Sequence, residues 1–133
     1  MPEYVVLDTD VASLSFRDRL TSPMSALLAG RITCVTFVTI GEMTKWAELR
    51  DWSPRNRQRL DLWLSRQVHL GYDLSVARTW GRLSAAAQRR GRTAQVNDTW
   101  IAACCLAEGL PLATLNIKDY VDFVQHHGLV LAR

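Results

Sequence analysis

The sequence predicts an α/β fold, with helices covering a mainly parallel sheet. Short runs of apolar, β-branched residues alternate along it with longer stretches of helical spacing. The first run, Tyr4-Val5-Val6-Leu7, is apolar at every position, as expected of a strand buried on both faces. At 133 residues, 48% hydrophobic and 22% charged, the chain fits one domain (1–133) large enough to bury a real core. It contains no internal repeat, linker or low-complexity tract.

The elements follow in order. The first strand, 4–7, stops at Asp8. Ser22-Pro23 marks a helix start, because proline fits a first helical turn, and Gly30 marks its stop. Residues 32–38 read as a second strand and 39–50 as a helix. Ser53-Pro54 opens another helix that reaches Leu64, and 68–74 supplies a short strand. From Ser75 onward Val76, Ala77, Trp80, Leu83 and Ala87 fall on one helical face, and Gly91 ends the segment. Residues 97–108 are helical and apolar almost all round, which predicts a helix buried on several sides. Gly109 caps it, 110–114 returns to a strand, and 129–131 reads as a final edge strand.

Composition narrows the functional classes. No stretch approaches the roughly 20 apolar residues of a membrane span, and the N-terminal sequence lacks the pattern of a secretory leader. Cys34, Cys104 and Cys105 are odd in number and lie in apolar surroundings. They read as buried thiols of a cytoplasmic protein, not as a disulfide framework or zinc site. The net charge is +3, and of 16 basic residues only Lys45 and Lys118 are lysines. Arginine forks match phosphate and carboxylate bidentately, although composition bias explains the excess equally well.

Four carboxylates carry the functional signal. Asp8 follows a strand directly, and parallel sheets bind ligands beyond the carboxyl ends of their strands. Capping of the next helix by Asp8 or Asp10 is the competing reading. Advancing about 100° per residue along 39–50, Ile40, Met43, Trp46, Ala47 and Leu49 form an apolar arc that also contains Glu42. A carboxylate on such a face needs a partner, either an arginine or a metal. Asp98 opens the most apolar helix, where the helix dipole alone favours an acid. Asp119 lies just beyond a strand and in isolation reads as a solvated turn residue. The coincidence of all four favours a hard-metal site, and such sites commonly do phosphate chemistry.

In that order the motifs resemble the PIN-domain nucleases, and within them the VapC-type toxins of toxin–antitoxin pairs. The matching elements are Leu7-Asp8-Thr9-Asp10, Thr39-Ile40-Gly41-Glu42, Asn97-Asp98-Thr99-Trp100-Ile101-Ala102-Ala103, and Leu112-Ala113-Thr114-Leu115-Asn116 followed by Asp119-Tyr120. The resemblance implies a three-layer α/β/α sandwich in which Asp8, Glu42 and Asp98 bind Mg²⁺ or Mn²⁺. It leaves either Asn116 or Asp119 as the fourth group, because many relatives carry an aspartate where this chain has Asn116. It also implies a homodimer, a VapB-like antitoxin whose tail lies along the active-site groove, and structured RNA, transfer RNA in particular, as substrate.

The expected activity is therefore metal-dependent hydrolysis of an RNA phosphodiester, with Asp8, Glu42, Asp98 and Asp119 as catalytic candidates. Glu42 is the candidate base. Thr9 and Thr114 carry hydroxyls suited to orienting carboxylates or water. Arg78, Arg82 and Arg89 share roughly one side of their helix, and Arg90 and Arg92 continue the strip toward Asp98. Such a strip grips RNA phosphates or is simply a solvated face. Trp80 and Trp100 read as core; Trp52 and Trp63 suit packing, a partner groove or RNA stacking. His126 and His127 are placed in a surface turn.

Two alternatives differ in class. The Asn116 departure motivates a degenerate PIN-fold module that binds RNA or protein without cutting. Asp8-Thr9-Asp10 also imitates the nucleophile motif of haloacid-dehalogenase phosphatases, but that motif wants threonine or valine where Ala12 stands.

Overall fold

The computed structural model describes residues 3–92 and 94–133. Four strands, β1 (Tyr4–Leu7), β2 (Ile32–Thr36), β3 (Val68–Leu70) and β4 (Leu112–Ala113), pair in the order β3-β2-β1-β4. Every pairing is parallel, with Val6 opposite both Cys34 and Leu112. The connections are helices: α1 (Thr9–Phe16), α2 (Ser22–Leu28), α3 (Phe37–Leu49), α4 (Pro54–Ser65), α5 (Leu74–Arg89), α6 (Val96–Glu108) and α7 (Ile117–His127).

Strand alternation divides the core into two layers. Val6, Cys34 and Leu112 face one way and pack with Val76, Leu83, Ile101, Tyr120 and Phe123 of α5, α6 and α7. Val5, Leu7, Val35 and Ala113 face the other way, against Val11, Met24, Met43 and Leu60 of α1 to α4. The result is the expected α/β/α sandwich. α6 is buried as its all-round apolarity predicts, with Ile101, Ala102, Ala103, Cys104 and Cys105 at most 1% exposed. All three cysteines are buried free thiols. No helix is long and apolar enough to cross a membrane among the described residues.

Local hydrogen bonding moves several boundaries. The second strand ends at Thr36, short of 38, because Thr36 Oγ1 accepts from the Thr39 N–H and starts α3 at Phe37. The third strand ends at Leu70, since the Asp73 carboxylate caps α5 by accepting from the Val76 N–H. The 110–114 strand contracts to two residues, and the 129–131 strand to one bridge between Leu131 and Leu112. Two residues assigned to apolar faces are exposed, Ala77 and Leu49, the latter by 73%. Two helices lie outside the elements read from the sequence: α1, implied only as a helix that Asp8 or Asp10 would cap, and α7, which places His126 and His127 in its last turn instead of a surface turn.

Candidate active site

β1 is an inner strand, so its carboxyl end opens onto the sheet edge between β2 and β4. Asp8 occupies that end and is only 5% exposed. It caps α1, as the competing reading had it, and capping leaves its second carboxylate oxygen for other partners. Asp8 Oδ1 accepts from the Thr9 N–H at 2.9 Å and from the Tyr120 hydroxyl at 2.9 Å. Oδ2 accepts from Thr114 Oγ1 at 2.7 Å.

Hydroxyls extend this arrangement to two further carboxylates. The Tyr120 oxygen also lies 3.2 Å from Asp98 Oδ1, so one phenolic group spans Asp8 and Asp98. Thr9 Oγ1 donates to Glu42 Oε1 at 2.8 Å and lies 2.9 Å from Thr39 Oγ1, which must then donate to it. Asp98, Asp8 and Glu42, from three separate elements, thus form one chain linked through Tyr120 and Thr9. Glu42 is half-buried on α3, and its partner is a hydroxyl, not an arginine.

Asp10 belongs to the same neighbourhood. Its Oδ2 accepts from the Leu115 N–H at 3.2 Å and from Asn116 Nδ2 at 3.1 Å, while Oδ1 accepts from the Val11 N–H at 2.7 Å. Asn116 therefore reaches Asp10, whereas Asp119 is exposed in the first turn of α7 and borders the cleft beside Asp98.

The electrostatics are those of crowded like charge. Burial, followed by the Asp8 charge, raises Asp98 to about 6; Tyr120 donation opposes this, and Asp119 and Glu42 add to it. Burial and then Asp8 raise Asp10 to about 6 as well. The same burial and the two neighbouring carboxylates push the Tyr120 phenol far up, so it stays a donor. Among the described residues none of Asp8, Asp10, Glu42, Asp98 or Asp119 forms an ion pair.

An all-oxygen donor set with surplus negative charge suits a hard divalent cation. Among the described residues, no three acidic, histidine or cysteine side chains are already drawn together as a closed cage.

The arginine strip divides. Arg78, Arg82 and Arg89 are exposed on α5. Arg90 pairs with Asp122 and lies 3.1 Å from His127 Nε2, tying the end of α5 to α7. Arg92 borders a cleft of about 260 Å³ with Lys118, Asp98 and Asp119. Trp80 and Trp100 stack at 4.9 Å, and Trp52 stacks on Phe16 at 5.7 Å with Trp63 edge-on to that ring.

Tyr120 and Asp10 are the residues the site reading missed. A partial signal for Tyr120 was present: Tyr120 and Phe123, three residues apart between Asn116 and Gly128, form the buried face of α7, although Ile117 and Val124, which share the helical spacing, are exposed.

A model of the PIN domain matches residues 5–120. Ribonuclease VapC2 of Haemophilus influenzae is 29% identical over 117 residues, covering 86% of this chain and 88% of the relative. The tRNA(fMet)-specific endonuclease VapC of Shigella flexneri is 27% identical over 117 residues, with the same coverage. The solved structure of VapBC-5 from Mycobacterium tuberculosis, a member of the VapBC family of toxin-antitoxin systems, superposes with a TM-score of 0.73. It is 27% identical and covers 99% of each chain. With more than half its length matched by the model and its carboxylates gathered at one sheet edge, the chain belongs to the PIN-domain family.

Proposed function

We propose that the protein is a metal-dependent endoribonuclease that hydrolyses phosphodiester bonds of structured RNA and is neutralised by a VapB-like antitoxin. One observation carries the reading: Asp98, Asp8 and Glu42 converge from three elements, Asp98 and Asp8 through the Tyr120 hydroxyl and Asp8 and Glu42 through the backbone N–H and hydroxyl of Thr9, with no cationic partner among the described residues. Kinship with VapC ribonucleases supports the reaction class, and the Shigella relative's specificity supports transfer RNA as the substrate to try first.

Asp8, Asp98 and Glu42 would hold Mg²⁺ or Mn²⁺, with Asp119 or Asn116 beside them. When bound, such an ion polarises the phosphoryl group and makes water more acidic. The residues of this chain do the rest. Thr114, Thr9 and Tyr120 fix the carboxylate orientations by donating to them. Without metal, burial and the Asp8 charge hold Asp98 and Asp10 at about 6, so a cation bound among these carboxylates would release protons as it binds. Arg92 and Lys118 flank the acids and offset their repulsion of RNA phosphates, and Arg78, Arg82 and Arg89 add contacts further out. Arg90 contributes less, because Asp122 already holds it.

The antitoxin reading has a surface to match. A groove of about 400 Å³ begins at Asp10 and runs between α1 and α3, floored by Phe16, Met43, Trp46 and Trp52 and edged by Arg17 and Arg50. An acidic segment with apolar anchors complements it. Dimerisation, as in VapC-type proteins, completes the proposed assembly.

The decisive experiment incubates purified, antitoxin-free protein with total RNA and Mg²⁺ or Mn²⁺, beside Asp8→Asn and Asp98→Asn. Discrete fragments that vanish with chelator and in both variants are expected. RNA that is bound yet left intact under both metals would instead establish a non-cutting module.

A further inference from the structure

Glu42 belongs to two environments at once. On one side its Oε1 accepts from the hydroxyl of Thr9, whose backbone N–H donates to Asp8. On the other it lines a cavity of about 430 Å³ with Phe37, Gly41, Lys45, Asn97 and Trp100. We infer that this cavity is a nucleotide subsite that holds the base and sugar next to the phosphate being cut. The inference rests on the ribonuclease reading and deepens it.

The lining supplies each part that a nucleotide needs. Trp100 provides an aromatic surface whose orientation is fixed. It stacks on Trp80 at 4.9 Å with 17° between planes and meets Phe37 edge-on at 5.7 Å. Stacking on such a ring tolerates any base. Asn97 is exposed at the start of α6, and its amide offers a donor and an acceptor to a base edge. Lys45 is exposed and forms no ion pair among the described residues, which leaves its ammonium for a phosphate. Lys45 and Lys118, the only lysines of the chain, border clefts on the Glu42 and Asp98 sides of the acids respectively. A backbone passing between them carries one phosphate across the carboxylates and lays the adjoining nucleotide on the Trp100 side. The two other clefts beside the acids suit a nucleotide less well. The Arg92 cleft includes Phe123 as its only aromatic residue, and that ring is buried; the Asp10 groove has Phe16, Trp46 and Trp52 but no side-chain amide to read a base edge.

Gly41 makes the subsite testable without damaging the fold. It lies inside α3, and a Cβ placed there meets nothing within 4 Å. Gly41→Leu therefore fills the cavity from a position where leucine also favours the helix. Binding of a short, mixed-sequence, fluorophore-labelled single-stranded RNA is followed by anisotropy in the uncleaving Asp8→Asn background. Thermal melting and light scattering are recorded alongside.

Adding Gly41→Leu should weaken binding about tenfold or more, the scale of one lost base stack, with no loss of thermal stability. Lys45→Ala should weaken all RNAs alike, whereas Asn97→Ala should level any preference among A, C, G and U homopolymer competitors. Unchanged RNA affinity in Gly41→Leu overturns the subsite while leaving the nuclease reading intact. So does a dimer that falls apart at unchanged RNA affinity, because a second copy then covers this face. A parent that binds neither this probe nor transfer RNA overturns both readings.

Discussion

At Tyr120 a single phenolic proton meets two carboxylates, at 2.9 Å from Asp8 and 3.2 Å from Asp98. The residue is fully buried, so the hydroxyl has no water to fall back on, and its only partners are the acids of the site. Groups that orient metal-binding carboxylates commonly change metal affinity or activity by about 10–100-fold when removed. Tyr120→Phe keeps the ring and its packing. It should fold normally while weakening Mn²⁺ binding about tenfold, as read by electron paramagnetic resonance titration of the protein without RNA. Affinity equal to the parent's would reduce Tyr120 to a core residue. Its role was hidden in the sequence because the spacing that buries a tyrosine is the same whether its hydroxyl is used or not. Asp8 and Asp98 were easier to find, since an acid that ends a β-branched run or opens an apolar helix is conspicuous without a structure.

The elements were legible where local chemistry is strong. Ser53-Pro54 and Gly109 bound their helices as read, with Ser53 capping α4 and Gly109 left-handed at φ 68°. Asp73 is the cap that closes off the third strand, accepting from the Val76 N–H at 2.9 Å. Asp73→Ala should lower stability by about 1 kcal/mol in urea denaturation without altering metal affinity, because α5 contributes no carboxylate to the site. A change below a few tenths of a kcal/mol would mean that packing alone sets this helix start. The strands 110–114 and 129–131 shrank for a different reason. Apolar runs show that a segment is buried, but the length of a ladder depends on which backbone it finds alongside. Here β1 offers β4 two paired residues, and the C-terminal run reaches the sheet through a single bridge.

Across the whole molecule, folding concentrates negative charge at one edge of the sheet in a protein whose net charge is +3. Asp98 and Asp10 reach about 6 against 3.8 for the free side chain. An acid whose folded value is the higher one keeps its proton longer in the folded state than in the unfolded chain. Between these values the folded protein binds the extra protons, so stability falls as pH rises from about 4 to about 6. Asp122, which Arg90 holds below the usual range, contributes at lower pH and in the opposite sense. Thermal melts in chelator should therefore show a declining midpoint across that window, and Asp10→Asn with Asp98→Asn should flatten it. A parent and double variant with parallel curves would contradict the charge crowding. The sequence by itself determined the alternation of strands and helices, the two-sided burial of the first strand, and the positions of Asp8, Glu42 and Asp98. These follow from hydrophobic periodicity and helix-end chemistry, which act over a few residues. Only the tertiary structure decided that Tyr120 joins Asp8 to Asp98, that Asn116 holds Asp10, and that Arg90 is taken by Asp122. Each of these contacts joins residues 22 to 112 positions apart. Their formation depends on parallel pairing that brings β1 and β4 side by side, which no local pattern encodes.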